Sequence, residues 1–157
     1  MDKLGSKKIE KIIVVVDNIE EAVEYYAKIF NIEKPSIRIP ADKPPVVEGG
    51  KTPYAEYRGE KRQMRIKTAI IPLEPIYLEL AEPYDEPSPW TEFKQKHGHG
   101  MAFLSFYVDG FEENMELMSG LGMPAFHKQE KGKERYAYFD SEDKIGTSIE
   151  IKEFDKK

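Results

Sequence analysis

The 157-residue sequence contains no cysteine. This absence excludes disulfide bonds, cysteine nucleophiles and cysteine metal ligands together. The chain also lacks any apolar run that approaches the roughly 20 residues of a membrane-spanning helix, so we predict no membrane partner. Its basic N-terminal residues are not followed by an apolar region, and we therefore predict no signal peptide and a cytoplasmic location.

A strongly basic surface is missing as well. The chain has 24 lysine and arginine residues against 29 aspartate and glutamate residues, which gives a net charge of −5. The basic residues are scattered, without the stripe that a nucleic-acid backbone needs, so we predict no nucleic-acid partner. The hydrophobic share of 39% is typical of a globular domain, and the length fits one domain or two small halves with a shared core.

What the sequence does contain is an internal repeat. Residues 16–21 (VDNIEE) return as residues 108–113 (VDGFEE), 92 positions later. Each copy follows an apolar run that reads as a strand and precedes a helical pattern. A second match in the same order joins Leu78-Glu79-Leu80 to Ile149-Glu150-Ile151. The two matches predict a duplicated strand–helix–three-strand unit, which is an α+β fold.

The repeat divides the chain into two modules and a connection. Residues 1–86 form the first module, and within it residues 40–62 are rich in proline, glycine and charge, which predicts a long loop. Residues 87–100 form a linker with a short helix that begins after Ser88-Pro89. Residues 101–157 form the second module. Two such modules would set curved sheets side by side and leave a concave surface where they join.

Four stretches carry a resemblance to a known family: residues 12–22, 77–83, 105–113 and 148–151. In their order and spacing they resemble the vicinal oxygen chelate superfamily, which includes glyoxalases, bleomycin-resistance proteins and extradiol dioxygenases. The linker is most similar to that of methylmalonyl-CoA epimerases. The resemblance implies two paired β-α-β-β-β modules that form a curved sheet around a cavity, a homodimer, and a ligand that carries a carbonyl or carboxylate group.

The resemblance also implies four positions for one divalent metal ion, two on first strands and two on last strands. In this sequence those positions fall on Lys11, Glu79, Phe103 and Glu150. A lysine ammonium has no lone pair and phenylalanine has no donor atom, so only the two glutamates fit. We therefore expect no metal, although the resemblance keeps a divalent ion possible. The epimerases also use a carboxylate on a middle strand, and here that position falls near Lys67.

Two interpretations of Lys11 remain open. In the first, its ammonium replaces the metal and neutralises Glu79 and Glu150 in a metal-free cavity. In the second, Lys11 binds an anionic or carbonyl group of a ligand while one glutamate takes an α-proton. His99 lies four residues before Phe103 and would share its face if the strand began early.

These residues predict an enzyme of the isomerase or lyase type that acts beside a carbonyl. Glu150 or Glu79 is the predicted base. The predicted ligand-binding residues are Lys11, Phe103, His99 and Lys67. The alternative is a non-catalytic protein of the bleomycin-resistance type that binds a small ligand in a metal-free cavity.

Overall fold

A computed structural model of the chain describes residues 6–41 and 54–154, except for the side chain of Tyr54. The helices and strands, in chain order, are β1 (Ile9–Val15), α1 (Ile19–Phe30), β2 (Tyr54–Tyr57), β3 (Glu60–Arg62), β4 (Ile66–Ile71), β5 (Tyr77–Pro83), α2 (Pro89–His97), β6 (Gly100–Tyr107), α3 (Phe111–Gly120), β7 (Ala125–Lys131), β8 (Glu134–Phe139), α4 (Glu142–Ile145) and β9 (Ser148–Phe154). They fall into two compact units.

The first unit comprises residues 11–40 and 65–102. Its β1 pairs in parallel with β5, and β5 pairs in antiparallel with β4. Helix α1 begins where the Asn18 side chain accepts a hydrogen bond from the backbone N–H of Glu21, and it ends at Asn31 in the left-handed conformation. Buried residues on the helix-facing side of this unit form an apolar cluster, made of Val14, Val16, Ile19, Val23, Ala69, Ile71, Leu78 and Leu80.

The second unit includes residues 6–10, 54–64 and 103–154 of the described chain. Its strands lie in the order β3-β2-β7-β8-β9-β6. The β6–β9 pair is parallel and the other pairs are antiparallel. A second apolar cluster is formed by Val108, Phe111, Met118, Met123, Ala137, Phe139 and Ile151. The α+β class predicted from the sequence is therefore confirmed.

Part of the predicted loop at residues 40–62 is not a loop. Residues 54–62 form the β2–β3 hairpin, whose first strand pairs with β7 of the second unit. Its two-residue turn is Arg58-Gly59, and both residues have positive φ, 47° and 85°. That geometry matches the twist of paired strands, which is why such turns close hairpins. The middle of the predicted loop, residues 42–53, lies outside the described residues.

The module boundaries at residues 86 and 100 stay a prediction. The compact units divide the chain differently, because the β2–β3 hairpin belongs with the strands of the second unit. The helix predicted within the linker is present as α2, and Ser88 caps it by accepting a hydrogen bond from the N–H of Thr91. Among the described residues, no helix is both long and apolar enough to cross a membrane.

The duplication extends to how the two main helices begin. In the first unit, the Glu82 carboxylate accepts a hydrogen bond of 2.8 Å from the backbone N–H of Ile19, the first residue of α1. In the second, Glu153 accepts one of 3.0 Å from the N–H of Phe111, the first residue of α3. Both carboxylates come from the last strand of their unit and lie three residues after the predicted metal-position glutamate. They compensate the positive end of each helix.

Candidate functional site

The strand register places the two predicted glutamates at equivalent positions. Glu79 on β5 pairs with Ile13 on β1, and Glu150 on β9 pairs with Ser105 on β6. Ile13 and Ser105 are 92 positions apart, which is the offset of the sequence repeat. The predicted first-strand metal positions, Lys11 and Phe103, lie two residues before Ile13 and Ser105. Each therefore lies on the same sheet face as the glutamate of its unit.

In the first unit, Lys11 and Glu79 form an ion pair. The Lys11 Nζ atom lies 3.1 Å from Glu79 Oε1 and donates a hydrogen bond to it. The Lys11 side chain is only 6% exposed and that of Glu79 is 20% exposed, so water screens this pair little. A nearby opposite charge compensates the cost of burying both groups. Lys11 thus neutralises Glu79, as the first interpretation of the sequence requires for this glutamate.

In the second unit, Glu150 accepts a hydrogen bond from a serine hydroxyl at the equivalent strand pair. Ser105 Oγ donates a hydrogen bond of 2.5 Å to Glu150 Oε1. Glu150 is 2% exposed and Ser105 is fully buried. A distance of 2.5 Å is at the short end for a hydroxyl that donates to a carboxylate, which is a strong class of hydrogen bond. Ser105 is not among the site residues predicted from the sequence.

Phe103 stands where the resemblance places a metal ligand, but its ring contributes packing. It is 3% exposed and meets the Tyr138 ring edge-on, with ring centroids 4.8 Å apart. Tyr138 pairs with Glu150 across β8 and β9, so the two aromatic rings and the carboxylate share one sheet face. Two aromatic side chains therefore lie on the same sheet face as the Glu150 carboxylate.

Two predicted ligand-binding residues lie apart from these glutamates. The Lys67 side chain lies 3.7 Å from Glu82, with which it pairs across β4 and β5. Since Glu82 caps α1, Lys67 lies on the helix-facing side of the sheet, opposite to Glu79. The adjacent residue of β4, Thr68, lies on the same sheet face as Glu79, is 9% exposed and was not predicted as a site residue.

His99 also lies apart from Glu79. It precedes β6, which begins at Gly100, and its side chain is 64% exposed. Its Nδ1 atom lies 3.6 Å from Asp17, and Lys94 lies 3.4 Å from the same carboxylate. The structure therefore places His99 in an exposed charged cluster at the end of α2, and its role in ligand binding stays a prediction.

The face of the second unit that carries Glu150 holds a further polar residue, His127. It is fully buried, and its Nε2 atom lies 3.3 Å from the side-chain oxygen of Gln129. Burial lowers the pKa of His127 to about 4, because the charged ring would lose its hydration. His127 is therefore uncharged at neutral pH and belongs to the polar part of the core.

Near the end of β9, Lys152 is surrounded by aromatic rings. Its Nζ atom lies 5.2 to 5.5 Å from the ring centroids of Tyr107, Tyr136 and Phe154. The carboxylates of Glu10 and Glu134 lie 3.9 and 4.0 Å from Nζ. Burial, followed by the charge of Glu10, raises the pKa of Tyr107. Cation–π contact and the two carboxylates hold this lysine in place.

The donor set of each unit does not suit a divalent metal. Within residues 6–41 and 54–154, no three or more histidine, cysteine, aspartate or glutamate side chains are grouped so as to hold an ion. The Lys11 ammonium is itself bound to Glu79, and a cation there competes with a metal for the same oxygens. Zinc and related ions need lone pairs that neither Lys11 nor Phe103 supplies.

The comparison with solved structures finds the same fold at low sequence identity. A hypothetical protein from Bacillus halodurans C-125 matches with a TM-score of 0.63 and 18% identity over 96% of both chains. Methylmalonyl-CoA epimerase from Mycobacterium tuberculosis matches with a TM-score of 0.61 and 16% identity, over 98% of this chain and 91% of the epimerase. A variant of the Streptomyces coelicolor methylmalonyl-CoA epimerase in complex with 2-nitronate-propionyl-CoA matches with a TM-score of 0.60 and 18% identity, over 97% and 96%.

Sequence comparison identifies the family directly. None of the curated proteins matches this chain. Residues 10–139, however, match the profile of the Glyoxalase/Bleomycin resistance protein/Dioxygenase superfamily, and this range includes Lys11, Glu79 and Phe103. The duplicated units and their equivalent glutamates agree with the match. The chain therefore belongs to the Glyoxalase/Bleomycin resistance protein/Dioxygenase superfamily.

Proposed function

We propose that this protein is a metal-independent enzyme of the isomerase or lyase type, which moves a proton beside the carbonyl of a small molecule. Glu150 or Glu79 is the base. The observation that carries the proposal is the pair of glutamates at equivalent strand positions, one bound by a lysine and the other by a serine hydroxyl. The two last-strand carboxylates are kept in this chain, while both first-strand metal ligands are replaced.

The proposed reaction requires the carboxylate to accept one proton from carbon and to return it. A glutamate takes the proton from the carbon next to a carbonyl, and the electron pair of the broken C–H bond moves onto the carbonyl oxygen as an enolate. The same group, now a carboxylic acid, returns the proton to carbon. A positioned carboxylate contributes about 10²- to 10⁴-fold to such a transfer. The structural likeness to methylmalonyl-CoA epimerases supports an acyl thioester as the first substrate class to test.

Lys11 supplies the positive charge in the first unit. As a buried ammonium, it neutralises Glu79 and offers donor hydrogens to a ligand carboxylate or carbonyl oxygen. His99, Phe103 and Lys67 remain proposed ligand-binding residues. The family resemblance further supports a homodimer, and the cytoplasmic location predicted from the sequence remains part of the proposal.

We predict that the purified protein holds less than one divalent ion per chain. The physical reason is that Lys11 competes for Glu79 and that Phe103 offers no donor atom. The measurement is elemental analysis of protein purified without added metal or chelator. A tightly held ion at one per chain would contradict metal independence.

The proposed reaction is tested by exchange of the α-proton for deuterium. The protein is incubated in deuterated buffer with a panel of acyl-CoA thioesters that carry an acidic α-proton, and incorporation is followed by proton NMR or mass spectrometry. We expect catalysed exchange with at least one thioester, unchanged by a chelator. Absence of exchange across the panel would reject this substrate class.

The alternative function is a non-catalytic binder of a small carbonyl or carboxylate ligand. The observation that favours it is the replacement of both first-strand ligands, because the Lewis acid of the family's enzymes then has no complete donor set. Calorimetric titration with the same thioesters and their free acids distinguishes the two functions. A binder shows saturable heat without proton exchange, whereas the enzyme shows both.

A further inference from the structure

The two equivalent glutamates have different hydrogen-bond partners, because the polar or charged residue of the facing strand lies at a different position in each copy of the repeat. At the first-strand position, the first unit has Lys11 and the second has Phe103. Two residues later, the first unit has Ile13 and the second has Ser105. The first unit therefore offers its glutamate a cation beside an apolar residue. The second offers a hydroxyl beside an aromatic ring.

Ser105 holds the Glu150 carboxylate by one oxygen. The serine hydroxyl carries a single hydrogen and donates it to Glu150 Oε1, with an oxygen–oxygen distance of 2.5 Å. Since both residues are buried and pair directly across β6 and β9, neither side chain has room for many rotamers. The hydrogen bond consequently fixes the rotation of the carboxylate about its last side-chain bond.

This contact differs from the ordinary way in which the same unit satisfies a buried serine. Ser148 donates to the backbone carbonyl of Phe139 at 2.9 Å, and Ser141 donates to the carbonyl of Thr147 at 2.8 Å. Both are as buried as a core serine usually is, at 7% and 0% exposure. Ser105 alone of these three gives its proton to a carboxylate, which makes the shorter bond.

We propose that Ser105 is a positioning residue, which orients the Glu150 carboxylate for proton transfer, while Lys11 keeps Glu79 in an ion pair. This inference rests on the proposed function and assigns its base, since the oriented carboxylate is Glu150. Correct orientation of a base matters because a reacting group about 1 Å out of place loses on the order of 10²-fold in rate. Ser105 acts through Glu150, and it need not touch the substrate.

The test compares Ser105→Ala with a matched control, Ser148→Ala, in the full chain. Both variants remove one buried hydroxyl from the same sheet face, but only the first removes a donor to Glu150. We expect Ser105→Ala to lower kcat for α-proton exchange about 10- to 100-fold, with KM changed less than about twofold. Ser148→Ala should keep kcat within about twofold. Ser105→Cys, with its weaker donor, should fall between Ser105→Ala and the wild type.

A spectroscopic readout tests the hydrogen bond without activity. The hydroxyl proton in a 2.5 Å bond to a carboxylate should resonate downfield of the amide protons in a proton NMR spectrum. We expect this signal to vanish in Ser105→Ala, to move upfield in Glu150→Gln, where the acceptor is a neutral amide, and to persist in Ser148→Ala. Absence of the signal from the wild type would overturn the proposed positioning.

The outcomes separate the two proposals. Exchange by the wild type with equal kcat in Ser105→Ala and Ser148→Ala overturns the role of Ser105 and leaves the proposed function intact. A wild type that shows the downfield signal but no exchange overturns the proposed function, and with it the positioning role. Loss of kcat confined to Ser105→Ala, with thermal stability similar to that of Ser148→Ala, supports the inference.

Discussion

Replacing Lys11 with methionine should lower the free energy of unfolding by about 3 kcal/mol, because the change leaves the Glu79 carboxylate without its cation. The Lys11 side chain is 6% exposed and its Nζ lies 3.1 Å from Glu79 Oε1, so little water is available to replace it. Glu79 is 20% exposed, which places the loss at the lower end for a broken buried pair. Urea unfolding followed by circular dichroism gives the measurement.

A double-mutant cycle shows whether the pair or the single groups carry this effect. Glu79→Met alone should also destabilise the protein, because it leaves a buried ammonium. The double variant Lys11→Met/Glu79→Met should recover most of the loss, since apolar pairs of similar volume replace buried ion pairs at little cost. The matched control is Lys34→Met at the exposed pair with Glu24, expected to change stability by about 0.5 kcal/mol or less. Equal stability of Lys11→Met and Lys34→Met would contradict the buried-pair interpretation.

The order of helices and strands was predictable because each copy of the repeat contains both an apolar strand pattern and the signal for the start of a helix. Asn18 followed by Glu21 predicts a helix N-terminus, and the Asn18 side chain does cap α1. The hairpin at residues 54–62 was missed for a physical reason. Its strands are short, β3 consists only of charged residues, and its turn uses Arg58, which is an uncommon residue at positive φ. Its partner strand, β7, lies about 70 residues further along the chain, and local patterns carry no information about such pairings.

The positions of the site were predictable, but the partners of its residues were only partly so. The family resemblance placed Lys11 and Glu79 at two of the implied metal positions, and the structure brings them into contact. Ser105 could have been found from the same repeat, since it lies 92 positions after Ile13 and faces Glu150 in the parallel register. The side of the sheet on which Lys67 lies depends on the β4–β5 register, which the local sequence pattern does not determine.

The different residues on the facing strands explain why the equivalent glutamates of the two units have different partners. Duplication places a glutamate at the same register in each unit, and divergence of the facing strand then sets its chemistry. An ammonium forms an ion pair with Glu79, whereas a serine hydroxyl donates a hydrogen bond to Glu150. The framework carboxylates Glu82 and Glu153 kept one role, because both helices still need their first N–H satisfied.

Glu150→Gln should slow α-proton exchange by about 10²- to 10⁴-fold, which is the usual contribution of a positioned general base. Glutamine has nearly the same shape, and its side-chain oxygen still accepts the Ser105 hydrogen bond, but it cannot take up a proton. KM should change little, because the substitution removes a group that acts mainly in the transition state. The measurement is the rate of deuterium incorporation at saturating thioester, with unfolding curves that confirm a folded variant.

Two other glutamates of the same sheets make this prediction specific. Glu82→Gln alters a part-buried carboxylate that caps α1 from the opposite sheet face, and it should leave the exchange rate within about twofold. Glu79→Gln removes the ion pair with Lys11 and can keep only a neutral hydrogen bond, so its main cost should appear in stability, with less than about a tenfold loss of rate. The reverse order, a large loss in Glu79→Gln and a small one in Glu150→Gln, would move the base to the first unit. It would leave Ser105 as a purely structural hydrogen bond, because the carboxylate that it orients would then take no part in proton transfer.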